Sequence, residues 1–166
     1  GIDPEREGWR LKVRHLPDAL VAEFNRTFSR RWEACLDECH GSCPLKRPDL
    51  ARIVGDSLRH FDGERYRLTD FVIMPNHVHA LIKHHEDAPL LSDILKRHKS
   101  YTGMVCNKFL EKEGKFWHRE TYDHVVRDQN EFDRIAWYIL HNPVKAKLVE
   151  KWQDWPYTFA HPELWS

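Results

Sequence analysis

Apolar positions along the chain follow two different periods. "YRLTDFVIM", Tyr66 to Met74, is rich in β-branched and aromatic residues, and "HVHALIKH" follows it across Pro75-Asn76, a turn signal. The pair predicts an antiparallel hairpin. Elsewhere the apolar step is three to four residues. Leu20, Phe24, Phe28, Trp32 and Cys35 form one helical stripe, opened by Pro17-Asp18 and stopped by His40-Gly41. A shorter helix is expected after an Asp49 cap, with Ile53, Val54 and Leu58 inward and an end near Gly63. A third is expected from a Ser92 cap to about Lys112, with Leu95, Tyr101, Val105 and Phe109 inward and Gly114 as its stop. A fourth starts at an Asn130 cap, passes through Ile135, Tyr138 and Ile139, and ends at Asn142-Pro143, because proline disfavours helix at the residue before it. Trp9, Leu11 and Val13 alternate with Arg10, Lys12 and Arg14, which suits a short strand or a helix start. "KFWHRETYDHVV" reads as extended, and "WQDWPYTFAHPELW" as an aromatic tail broken by prolines.

The order of helices, hairpin, helix, extended segment and helix predicts an α+β domain, with an antiparallel sheet and helices on its faces. At 166 residues a single domain with one sizeable core is expected. Hydrophobic residues make up 41% and charged residues 31%, and seven tryptophans with eight phenylalanines argue against disorder. No apolar run approaches the ~20 residues a membrane span needs, and the polar start does not read as a signal peptide. The expectation is a cytoplasmic, nucleoid-associated protein with no membrane partner. Cys35, Cys39, Cys43 and Cys106 are too sparse for a disulfide scaffold and read as reduced thiols. Formal net charge is zero, so a nucleic-acid partner would need a local basic patch.

The candidate chemistry lies in "MPNHVHALI". On a strand, His77, His79 and Leu81 share one face, and Val78, Ala80 and Ile82 share the other. The second face is wholly apolar and is expected in the core. The first sets two imidazoles about 7 Å apart along the strand, close enough to converge on one ion. A pair of solvent-facing or hydrogen-bonded histidines would show the same spacing. In "YILHNPVKAKLV", Tyr138 and Asn142 lie one helix turn apart. A tyrosine hydroxyl is a potential nucleophile and an amide oxygen a hard metal ligand. A half-buried tyrosine and a helix-terminal asparagine are the commoner use of that pattern.

Taken together, "MPNHVHALI", "GKFWHRETYDHVV" and "YILHNPVKAKLV" strongly resemble the single-tyrosine transposases of the HUH nuclease superfamily, above all the REP-associated tyrosine transposases, which are IS200-like. The resemblance covers residues 61–158 well and the helical part, 1–60, poorly. It implies a ferredoxin-like, RRM-like fold with the histidines on a central strand. It implies His77, His79 and Asn142 as ligands of a divalent metal, Mg2+ or Mn2+, that polarises the scissile phosphate. It implies Tyr138 as the nucleophile that cleaves and rejoins single-stranded, hairpin-flanked DNA through a 5′-phosphotyrosine link, in a monomer or a homodimer. The family's opening strand, resembling "YHVTFR", has no clear counterpart; "GWRLKVRH" is a poor substitute.

Two other readings stay open: a non-catalytic module of the same fold that binds single-stranded DNA or RNA hairpins, and a metal-dependent hydrolase that activates water. Lys96, Arg97, Lys99 and Arg119 belong to a locally basic stretch that suits phosphate contact or a solvated helix face equally. Tyr101 and Tyr122 are rival nucleophiles, with Tyr101 expected in the core. Trp117 and Trp137 could stack on bases or pack inside, and His141 lies at i+3 from Tyr138. Cys35, Cys39, His40 and Cys43 could hold zinc, or be ordinary buried and helix-end side chains.

Overall fold

The computed structural model describes residues 43–85, 87–117 and 125–165. Helix α1 (Pro48–His60) has proline at its first position, where a missing N–H costs nothing. Asp49 lies in its first turn, bonded to Arg47, rather than at the cap. Leu50, Ala51, Val54 and Leu58 are its buried side chains. Gly63, at φ +83°, turns the chain into strand β1 (Tyr66–Ile73). The turn at Pro75-Asn76 is closed by the Met74 N–H donating to the His77 carbonyl at 2.8 Å, and strand β2 (Val78–His84) returns antiparallel. Helix α2 (Leu91–Leu110) and helix α3 (Gln129–Lys145) follow. Strand β3 (Thr158–Ala160), inside the aromatic tail, pairs with β1, so that among the described residues the sheet has the order β2-β1-β3 with antiparallel pairing. The domain is therefore α+β.

An irregularity in β1 decides what each face of the sheet carries. Leu68 pairs with Ile82 but Asp70 pairs with Leu81, so Thr69 is an extra residue. Leu68, Phe71 and Ile73 consequently share one face and pack with Leu50, Val54 and Ile94 of α1 and α2. Val72 and Met74 face the other way, where Leu81 joins them against Phe132, Ala136, Tyr138 and Ile139 of α3. Both faces are covered, each by a separate core.

Several expectations are corrected. Val78 and Ile82 pack on the α1–α2 side but are only half-buried, and Ala80 is exposed. The buried residue of β2 is Leu81, at 5% exposure, on the histidine face. The reason is position: among the described residues β1 is the central strand and β2 lies at the edge, so the histidines are not on a central strand there. In α2 the buried stripe is Ile94, Thr102, Gly103 and Cys106, whereas Tyr101 is 55% exposed and Phe109 is exposed too. The small residues win because a neighbour presses on them. A Cβ at Gly103 would meet Phe116 and Trp117 at 3.5 Å, and the Trp117 indole N–H donates to Thr102 at 2.8 Å. Helix α3 is capped by Asp128, whose carboxylate accepts from the Glu131 N–H, and Asn130 lies inside it. It runs past Asn142-Pro143 to Lys145, since near a helix end proline removes only one hydrogen bond. The stripe of Leu20 to Cys35, the Trp9–Val13 alternation, His118, Arg119 and Tyr122 lie outside the described residues, as do Cys35, Cys39 and His40. Cys43 is half-buried with a free thiol.

On the α1–α2 side, Ser57 and the His98 Nδ1 share a 2.7 Å hydrogen bond. Burial, with a smaller contribution from Lys99, holds the His98 imidazole down to about 4. Its folded value lies below the unfolded value of about 6.5, so this contribution to stability is complete above that pH and is lost as pH falls toward 4. His98→Gln should therefore flatten the dependence of stability on pH across this window by up to about 1.4 kcal/mol per pH unit. Urea titrations of wild type and variant at several pH values without metal measure it; parallel slopes would show that His98 does not titrate in this way.

Candidate functional site

The Pro75-Asn76 turn and the start of β2 set two imidazoles side by side. The His77 and His79 rings lie 4.7 Å apart between centroids, edge to face. His77 sits in the turn just before β2, and the two side chains converge to less than the ~7 Å of a two-residue strand step. His79 pairs across the sheet with Val72, whose side chain belongs to the α3-facing core. The His79 ring meets the Tyr138 ring at 5.8 Å between centroids. Tyr138 is 4% exposed and Asn142, one turn further along α3, is 9% exposed. The Lys145 ammonium lies 5.9 Å from the Tyr138 ring centroid.

The electrostatics favour neutral imidazoles. Burial lowers His77 to about 4. Burial first, then the neighbouring His77 and Lys145, lowers His79 to about 3. Asn76 determines which nitrogen of His77 is available. The His77 Nδ1–H donates to the Asn76 side-chain oxygen at 2.6 Å. That leaves the lone pair on Nε2, which is buried without a hydrogen-bond partner. A neutral imidazole with an aimed lone pair, beside a second neutral imidazole, is a donor arrangement that divalent transition ions accept. A buried amide on the facing helix offers an oxygen. Among the described residues no group of three or more His, Cys, Asp or Glu is placed to hold a metal.

The candidate residues thus divide. His77, His79 and Tyr138 meet between the hairpin and α3, and Asn142 follows on the same helix. Lys96, Arg97 and Lys99 are on α2, which packs against the opposite face of the sheet, away from this cluster. Tyr101 is on that helix as well. His141 turns its Nδ1 to the Trp137 carbonyl at 2.9 Å and stacks obliquely on the Trp137 ring. Trp117 packs against the α1–α2 core, and Trp137 against the α3 core beside Trp165.

Three participants were not singled out from the sequence. Asn76 was read only as a turn residue. Lys145 lies beyond the helix end expected at Asn142-Pro143 and enters the helix only because α3 runs on to it. Asp70 pairs with Leu81 and faces α3, fully buried, with neither carboxylate oxygen hydrogen-bonded. Burial pushes its carboxyl well above the usual range. An acid inside the apolar run "LTDFVIM" was the available signal for it.

Fold and cluster together define an α+β protein with a paired-imidazole, tyrosine-facing site. The chain belongs to the IS200-like transposase family, whose model matches residues 50–142, more than half its length. It is 28% identical over 101 residues to a protein of Haemophilus influenzae described as "Putative REP-associated tyrosine transposase", covering 55% of this chain and 57% of that one. An uncharacterised protein of the same organism is 30% identical over 99 residues, covering 47% of this chain and 54% of its own. The chain spans about half the length of these curated relatives. No solved structure matches.

Proposed function

We propose that this chain is a metal-dependent, single-tyrosine DNA strand transferase of the REP-associated kind. The observation that carries the reading is the meeting of two neutral imidazoles with a tyrosine between the hairpin and α3. The substrate is single-stranded DNA flanked by a hairpin, and the sheet belongs to a ferredoxin-like, RRM-like arrangement. His77 and His79, with the Asn142 amide, would hold Mg2+ or Mn2+, which when bound supplies Lewis-acid neutralisation of a phosphoryl oxygen. The Tyr138 oxygen attacks the scissile phosphorus. A phosphorus–tyrosine bond forms and the bond to the 3′-oxygen breaks, leaving a 5′-phosphotyrosine and a free 3′-hydroxyl. On balance the phenolic proton passes to the leaving oxygen. The reverse steps rejoin strands. Asn76 keeps the His77 lone pair on Nε2 through the 2.6 Å hydrogen bond.

The direct test is a denaturing gel of wild-type protein with hairpin-flanked single-stranded DNA and Mg2+ or Mn2+. A covalent adduct is the expected result. Metal binding provides a separate check. Asn76→Ala should weaken Mn2+ affinity by about 10–100-fold in calorimetry, as loss of a partner that orients a metal-binding histidine does. His77→Ala should remove measurable Mn2+ binding and the adduct together. Undiminished Mn2+ binding by His77→Ala would remove this histidine from the site.

One observation favours a second reading, a module that binds hairpins without cutting them: Tyr138 is only 4% exposed, so in this conformation its hydroxyl is not open to a phosphate. Tight hairpin binding by wild type with no adduct under either metal would give this reading the lead.

A further inference from the structure

We propose that Lys145 is a phosphate-binding residue of this site, its ammonium meeting a non-bridging oxygen of the strand phosphate presented to Tyr138. The inference rests on the reading of Tyr138 as the nucleophile and adds a residue that this reading does not require.

Position is the first argument. Tyr138, Asn142 and Lys145 stand at i, i+4 and i+7 of α3, so they form one stripe on one helix face. This stripe exists because α3 continues through Pro143; a helix ending at Asn142 would leave position 145 unplaced. The lysine is exposed, whereas the phenol and the amide are buried. Yet its ammonium leans back over the Tyr138 ring, 5.9 Å from the centroid. The charge thus stands at the rim, between solvent and the phenol.

Chemical need is the second argument. The side chains that meet here are two imidazoles and a phenol, with an amide on the same helix, and none of them is a permanent cation. A phosphodiester brings a negative charge into this partly dry place, and a cation at its edge would share with the metal the charge that builds on the non-bridging oxygens as the nucleophile approaches. A lysine supplies a compact cation with three donors, suited to a phosphate oxygen. A lysine in the last turn ordinarily complements the helix dipole. That role is served equally by a side chain pointing to water, and it predicts no change in how DNA binding responds to salt.

The experiment uses the full chain, a hairpin-flanked single-stranded oligonucleotide and Mn2+, with Lys145→Met and Lys145→Arg beside wild type. Methionine keeps an apolar stem over the ring, and the exposed position tolerates it. Two quantities are read: the single-turnover rate of adduct formation, and the slope of log binding constant against log salt. Lys145→Met should slow the adduct by about 100-fold or more and reduce the magnitude of the slope by about 0.7, the share of one phosphate contact on a single strand. Lys145→Arg should recover most of both. Wild-type rate and slope in Lys145→Met would overturn the proposal. So would a slowed rate with an unchanged slope, which would mean that the side chain acts through packing. If wild type forms no adduct, the nucleophile reading fails, and Lys145 is judged by the slope alone: a fall of about 0.7 sustains the contact and an unchanged slope ends it.

Discussion

Tyr138→Phe should abolish the covalent protein–DNA adduct while hairpin binding persists. The substitution removes one oxygen and keeps the ring that packs with Val72, Leu81 and Ile135 in the core facing α3. Stability should therefore fall by no more than about 1–2 kcal/mol, the scale of a lost hydrogen bond. The chemical effect is of another order. A free phenol has a pKa of about 10 and is a weak nucleophile at neutral pH, and a chain without it has no atom to form the ester. The residual adduct should fall below detection on a denaturing gel with Mg2+ or Mn2+. Among the described tyrosines Tyr101 does not replace it: it is on α2, against the opposite face of the sheet from the two imidazoles. An adduct persisting in Tyr138→Phe would show that another residue is the nucleophile, and peptide mapping of the linked fragment would identify it.

The largest structural effect is expected at Phe71. It is 1% exposed in the middle of β1, and its ring stacks on Phe159 of β3 at 5.4 Å. Helix α1 approaches it at Gly55, where a Cβ would stand 3.5 Å from the ring, and Arg59 lies 5.3 Å from the centroids of both Phe71 and Phe159. Phe71→Ala therefore opens a void where two strands and a helix meet, with little room to collapse. A loss of about 3–5 kcal/mol follows from comparable truncations, against a total stability of about 5–15 kcal/mol for a domain. Urea denaturation at neutral pH measures it. A loss below about 1.5 kcal/mol, the range of tolerated core swaps, would mean that Phe71 is not a keystone of this core. Because Phe71 faces away from the imidazoles, the surviving folded fraction should still bind Mn2+.

The sequence by itself determined the hairpin and the side of it that carries the histidines. Period-two alternation is a backbone property, and the Pro75-Asn76 turn sets it in register. It also placed Tyr138 and Asn142 on one helix face, because 3.6 residues per turn requires it. It did not reveal the extra residue at Thr69, which brings Leu68 and Phe71 to one face and Asp70 to the other; a bulge leaves no periodic trace in an unbroken apolar run. The buried face of α2 was misread for a related reason. In its second half Tyr101, Met104 and Phe109 point to water and Thr102, Gly103 and Cys106 inward, because Phe116 and Trp117 fill the space beside Gly103. Local hydrophobicity cannot register a neighbour that has yet to arrive. The site follows the same division. Residue types and spacing named its histidines and tyrosine. Only the packing of α3 on the hairpin decided that His79 meets Tyr138, and only the continuation of α3 past Pro143 brought Lys145 back over the phenol. Side-chain convergence between segments about sixty residues apart depends on which faces dehydrate together, and that is settled by the assembled core rather than by either segment alone.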